Sequence, residues 1–200
     1  MNATKEHIIF TSFRMFLQKG YREVTMSMLV KATGLSKGAF YHYFENKEQL
    51  FGETLDTLFF SVSPFYQEPE IAFERSFYES MGQYIENIKR MGERVQQYLG
   101  SDTSELSYYR LMLDVASYAP EFRAKIERAN RNELIFWQKI VRHGIDRGEL
   151  KPDLDLEILA RHFHWLQDGI AINSLFYGET QNLYHSLEKA FVQLYQLIKK

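Results

Sequence analysis

Apolar residues recur along this chain with a helical period almost from end to end. Ile9, Phe13, Phe16 and Leu17 fall at i, i+4, i+7 and i+8, which makes one helix face. Gly20, directly after Lys19, suits the left-handed residue that ends such a helix. Thr25 is placed to cap a short helix reaching about Thr33, which Gly34 breaks, and Ser36 is placed to cap another, to about Tyr43. Asn46, with Gln49 three residues on, resembles a capping box and opens a fourth helix toward Ser63, where Pro64 ends it.

Longer helices follow. One is expected over roughly 70–99, stopping at Gly100. Asp102 with Glu105 opens the next, to about Tyr118, and Pro120 fits the first turn of another that reaches about Arg147, before Gly148. The connector ELKPDLD leads to Asp155, which caps a helix running to Tyr177, and Gly178 and Glu179 separate that from a last helix. No stretch reads as a strand, a repeat or a low-complexity tract. The pattern predicts an all-α chain of about nine helices. A three-helix N-terminal head with a helix-turn-helix is expected over 1–48, and a larger helical domain over 49–200.

Composition narrows the class. The chain has 200 residues, 45% of them hydrophobic, enough for a packed core, and no cysteine, which removes disulfides, thiolate nucleophiles and cysteine metal sites together. The N-terminus lacks the long apolar run of a signal peptide, and no segment approaches the length of a membrane helix, so a cytoplasmic protein is expected. The net charge of −2 is unevenly spread. Residues 1–50 hold seven Lys/Arg against four Asp/Glu, while the other 150 carry an excess of five acids. A slightly basic head on an acidic body is the arrangement of a nucleic-acid-binding module joined to a second domain.

The stretch GLSKGAFYHYFENK, from Gly34 to Lys47, crowds rings and lysines into one short segment. Two short helices joined by Gly34-Leu35-Ser36 form a helix-turn-helix pattern. Met28, Leu29 and Ala32 are expected to pack inward from the first helix, Leu35 to plug the turn, and Phe40 and Phe44 to anchor the second helix. That leaves Lys37, Gly38, Ala39, Tyr41 and His42 on the opposite side, at the end of a helix that can enter a major groove. Lysine reaches guanine edges or phosphate, Gly38 and Ala39 permit close approach of the backbone, and the Tyr41 hydroxyl can donate to a phosphate. Lys47 and the free N–H groups of the fourth helix suit a flanking phosphate. Thr25 and Ser36 are equally N-caps, and the two roles coexist; His42 can face solvent without a base partner, and Tyr43 reads as partly packed.

The run GYREVTMSMLVKATGLSKGAFYHYFENKEQLF, Gly20 to Phe51, resembles the DNA-binding head of TetR-type transcriptional regulators. Phe16, Gly20, Thr25, Ala32, Gly34, Ser36, Gly38, Tyr41, Phe44, Lys47 and Leu50 carry the resemblance without a gap, over about a quarter of the chain. Leu29-Val30 stand where the pattern often has Ile-Ala. GELKPDLDLEILA, with Asp168-Gly169, is similar to the penultimate-helix region of the family. The resemblance implies base-reading positions at Lys37, Gly38, Ala39 and His42, and phosphate positions at Tyr41 and Lys47. It also implies phosphate or base contacts from Thr25 and Ser27, a ligand pocket in the larger domain and a dimer through the last two helices.

The body itself offers less. Leu156, Leu159, Ala160, Phe163, Leu166, Gln167 and Ile170 form one stripe, and Leu183, Leu187, Ala190, Phe191, Leu194 and Leu197 another; these suit either a four-helix interface between two chains or the core of one. Tyr84, Tyr108, Met112, Trp137, His164 and Asp168 are candidates to line a ligand pocket, though rings and methionines at helical spacing equally make ordinary core. His162 and His164 diverge on a helix, and His164 with Asp168 makes only two ligands, so no metal site, cofactor or catalytic constellation is expected. The expected function is a ligand-responsive repressor that binds a palindromic operator as a homodimer, with reading heads about 34–36 Å apart, and is released by a small molecule. The alternative is a helical small-molecule-binding protein or enzyme with a vestigial head.

Overall fold

The structure is a computed structural model that describes residues 2–60, 75–99, 105–119, 122–177 and 182–200. Nine α-helices occur among them: α1 (Ala3–Lys19), α2 (Met26–Thr33), α3 (Lys37–Tyr41), α4 (Lys47–Thr54), α5 (Phe77–Leu99), α6 (Glu105–Tyr118), α7 (Arg123–Asp146), α8 (Leu156–Tyr177) and α9 (Leu183–Ile198). A π-helical turn, Leu55–Phe59, continues α4. The expected ends at Pro64, Gly100, Asp102, Pro120 and Gly178-Glu179 lie outside the described residues. No described helix is long and apolar enough to cross a membrane.

The chain divides into two compact units that do not follow chain order. The first comprises Met1–Ser63 and Glu93–Ile126, the second Pro64–Gly92 and Glu127–Lys200. In the first, α1 packs on α2, α4 and α6, and Ile8, Ile9, Phe13, Phe16, Leu17, Val24, Leu29, Phe40, Phe44, Leu50 and Phe51 fill the core. Burying these side chains stabilises the unit by roughly 1.5–3 kcal/mol for each large residue.

The second unit closes around Trp137, which stacks on Phe163 with centroids 4.5 Å apart and lies edge-on to Phe191. Both predicted stripes of the last helices turn into this core through Leu159, Ala160, Phe163, Leu187 and Phe191. Their alternative as a monomer core is therefore what these side chains do; Leu197, at 62% exposure, is the exception. Gly144 lies where a Cβ would sit 2.9 Å from Leu150 Cδ1 and 3.1 Å from Phe77 Cβ, so α7 tolerates no side chain there without repacking.

One helix start is displaced from the sequence reading. α5 begins at Phe77 rather than near residue 70, because Ser76 and Glu79 form a capping box: the Glu79 N–H donates to Ser76 Oγ at 3.1 Å, and the Ser76 N–H donates to Glu79 Oε2 at 2.8 Å. A second carboxylate joins from the α7–α8 connector. Glu149 accepts the N–H groups of Phe77 and Tyr78 at 2.7 and 3.1 Å, and the Tyr195 hydroxyl at 3.2 Å. The Ser-x-x-Glu signal was present in the sequence; the Glu149 contribution was not.

Candidate functional site

The helix-turn-helix is set by three short-range caps. Thr25 Oγ1 accepts the Met28 N–H at 3.3 Å, Gly34 adopts φ 69° to turn the chain out of α2, and Ser36 Oγ accepts the Ala39 N–H at 3.2 Å. Thr25 and Ser36 therefore act as caps, and both remain exposed. Asn46 Oδ1 accepts the Gln49 N–H at 2.8 Å and starts α4, while the returning bond from Gln49 Oε1 reaches Glu45 N–H, one residue before the cap.

Helix α3 stops at Tyr41 rather than near Tyr43, and within it and the turn that follows the rings divide by face. Phe40 and Phe44 are fully buried. Lys37, Gly38, Ala39, Tyr41 and His42 are exposed, and Ser27 is exposed on α2. A Cβ built at Gly38 would meet nothing within 4 Å. The fold does not demand glycine at this position, whereas close approach of an outside surface would. Lys37 Nζ lies 5.8 Å from the Tyr41 ring centroid, so the two share one patch. Tyr43 is half-buried, with its hydroxyl accepting from Asn2 Nδ2 at 3.2 Å and its ring edge-on to His42.

Two residues stand differently from the sequence reading. Ala32 is exposed, and Thr33 takes the inward position, with its hydroxyl donating to Val30 O at 2.9 Å. Helix α2 is rotated by one residue relative to the expected face, because Leu29 and Thr33, four apart, seat together on α1. Lys47 does not present its ammonium outward. Nζ donates to Tyr21 O at 2.9 Å and Val24 O at 3.0 Å, and stands 4.1 Å from the Tyr21 ring centroid. It ties α4 to the segment that presents Thr25, and what it can still offer a phosphate is its backbone N–H.

Tyr21 is the residue that sequence reasoning missed. Its N–H donates to Asp114 Oδ2 at 2.7 Å, its hydroxyl donates to Glu48 Oε1 at 2.8 Å, and its ring stacks on Tyr118 with centroids 5.4 Å apart. The Glu48 carboxyl is held below its ordinary value by a backbone hydrogen bond and by this phenol. No local signal announces these contacts, since Asp114 and Tyr118 lie on α6.

In the second unit, the candidates Tyr84, Trp137, His164 and Asp168 come together, whereas the side chains of Tyr108 and Met112 lie outside the described residues. The Tyr84 hydroxyl meets Glu133 Oε1 at 2.5 Å and also contacts the Gln167 amide. With one proton to give, the phenol donates to the carboxylate, and a Gln167 turned to present its N–H satisfies the phenol oxygen. His164 Nδ1 lies 3.0 Å from Glu133 Oε1, and Nε2 lies 3.6 Å from Asp168 Oδ2. The Glu133 carboxylate beside it raises the His164 pKa against the opposing effect of burial. Burial is the main cause that lifts the Tyr84 phenol well above its ordinary range, and Glu133 adds to it. His162 stays apart, exposed and edge-on to Trp165.

An all-helical chain with a capped helix-turn-helix, the exposed face of its second helix clear of the protein's own side chains, has the form of a DNA-binding regulator. Two family models match: "Bacterial regulatory proteins, tetR family" over residues 8–54, and "Tetracyclin repressor-like, C-terminal domain" over residues 77–183. The chain belongs to the tetR family of ligand-responsive, DNA-binding transcriptional regulators. It is similar to the HTH-type transcriptional regulator YfiR of Bacillus subtilis, 26% identical over 88% of this chain and 86% of that one. It is also similar to the HTH-type transcriptional repressor KstR2 of Mycobacterium tuberculosis, 22% identical over 80% and 76%. A transcriptional regulator from Saccharomonospora viridis, in complex with choline, shares the fold with a TM-score of 0.71 at 18% identity, over 98% of this chain and 97% of that one.

Proposed function

We propose that this regulator is a cytoplasmic repressor, without enzymatic activity, that binds a palindromic operator as a homodimer and leaves it when a small molecule binds the larger domain. The observation that carries the reading is the division of α3 and the turn after it, with Phe40 and Phe44 buried and Lys37, Gly38, Ala39, Tyr41 and His42 exposed beside them. Lys37 and His42 read base edges, with Gly38 and Ala39 letting the helix approach. Thr25, Ser27, Ser36 and Tyr41 position the head on phosphates, and Lys47 contributes its backbone N–H. The head comprises residues 1–48, and 49–200 carries the effector and dimer surfaces.

The outer face of α8 supports dimerisation through the last two helices. Ile158, Trp165 and Ile172, spaced by seven, are 45%, 52% and 44% exposed, with Phe176 at 82% beyond them. Such a continuous apolar seam suits a second copy related by a two-fold axis. Effector binding need only favour the dimer conformation that fits the operator less well. The named repressor and the choline-bound regulator among its relatives support repression and small-molecule control respectively.

The test is binding of purified protein to DNA from upstream of its own gene at several salt concentrations. Affinity that falls steeply with salt, and is lost in Tyr41→Ala, supports the reading; salt-insensitive binding, or none to any palindrome there, overturns it.

A further inference from the structure

We infer that the cluster around Glu133 is a recognition site for a small organic cation, an amine or quaternary ammonium group that carries an oxygen acceptor near its charge. The inference rests on the proposal that the larger domain binds the effector, and names the class of effector.

Three observations point to this ligand. The Glu133 side chain is 9% exposed, yet both of its side-chain partners, Tyr84 and His164, meet the same oxygen, Oε1. A carboxylate this enclosed gains from a further counter-charge, and a bulky, weakly hydrated organic cation brings one at low desolvation cost. Second, the surroundings are aromatic: Tyr84, Phe136, Trp137 and Phe163 make successive ring contacts, and aromatic rings attract cations. Third, the fully buried Trp137 Nε1–H has no acceptor in hydrogen-bonding geometry. It stands near the Tyr84 hydroxyl, with the two rings 4.6 Å apart, and favours ionisation of that phenol. A ligand oxygen beside the cationic group would satisfy it.

The charges around the site select the sign. Glu133 and Asp168 face Tyr84 and His164, and Arg161, the other cation that acts on His164, is paired with Glu157 at 2.9 Å. An anion would meet two carboxylates. A proton on His164 and a ligand cation are alternative counter-charges for Glu133, so cation affinity should rise as pH rises through the raised pKa of His164. Glu133, Asp168 and Arg161 are the charged groups that act on the imidazole.

The full-length protein should be titrated calorimetrically with benzyl(2-hydroxyethyl)dimethylammonium, with benzyl alcohol and benzoate as the uncharged and anionic comparisons. The ammonium compound should bind most tightly and more tightly at the higher pH. Glu133→Gln should weaken it by roughly tenfold or more while leaving benzyl alcohol unchanged. Should Glu133→Gln fail to fold, Asp168→Asn, at a half-exposed position, should weaken the ammonium compound several-fold and spare benzyl alcohol. Benzoate or benzyl alcohol binding as well as the cation, or no probe binding at all, overturns the inference. Operator binding without any probe, measured alongside, separates the two readings. DNA binding without cation binding sinks the cation site alone. Cation binding without DNA binding sustains the site and sinks the regulator reading.

Discussion

The backbone N–H of Tyr21 donates to Asp114 Oδ2 at 2.7 Å, although 93 positions separate the two residues. The bond fixes the chain just after α1 to the middle of α6, and the stacking of Tyr21 on Tyr118 extends the contact by one turn. Replacing Asp114 with Ala leaves a half-buried amide without its charged acceptor. The expected loss of stability is about 1.5–3 kcal/mol, read as a lower urea midpoint with an unchanged slope. Asp114→Asn, which keeps an acceptor oxygen, should recover roughly half of the loss.

Lys47 and Lys37 should separate cleanly by their readouts. Lys47→Met removes two hydrogen bonds to carbonyls and a cation–π contact, so the melting temperature should fall by several degrees, equivalent to about 1–3 kcal/mol. The salt dependence of DNA binding should be retained. Lys37→Ala should do the reverse: unchanged melting, with operator affinity lowered by about 1–3 kcal/mol per head and discrimination against altered base pairs relaxed. A Lys47 variant that melts normally and loses salt dependence would return its ammonium to the phosphate role.

Two glycines give opposite expectations. A methyl group at Gly38 meets nothing in the protein, so Gly38→Ala should leave melting unchanged or slightly raised while weakening operator binding by about tenfold or more. A methyl group at Gly144 meets Leu150 and Phe77 at contact distances a core does not tolerate. Gly144→Ala should therefore destabilise the protein by about 1–3 kcal/mol, measured by thermal melting.

The Glu133–His164 pair makes stability depend on pH. The folded-state pKa of His164 is raised above 6.5. Its contribution is thus fully present below pH 6.5 and is lost as pH rises through the higher folded value. Burial raises the Asp168 pKa and makes its ionisation unfavourable to folding, but that change begins near pH 3.8, on the acid side of the histidine window. The melting temperature should fall between neutral and mildly alkaline pH, and Glu133→Gln should flatten that fall. An equal fall in both proteins would assign it to other groups.

The helix-turn-helix was legible because its determinants are local. Thr25, Gly34 and Ser36 act on residues no more than three positions away, and the buried pair Phe40 and Phe44 follows from helical spacing. The start of α5 was legible in principle through Ser76 and Glu79, whose reciprocal bonds span three residues. The α8 stripe was visible too, but periodicity identifies an apolar face without saying whether it meets the same chain or another.

By itself the sequence determined an all-helical chain, its caps and breaks, and which side of α3 stays clear of the core. Those features depend on backbone groups and side chains within one or two helical turns. Only the tertiary structure decided that Lys47 turns inward onto Tyr21, that Asp114 holds the Tyr21 amide, that Glu149 caps α5, and that Glu133 gathers Tyr84 and His164. Each of these joins a charged or hydrogen-bonding group to a partner 26 to 93 positions away. Long polar side chains reach whichever unsatisfied group the packing brings near, and that choice is made only when the helices have docked.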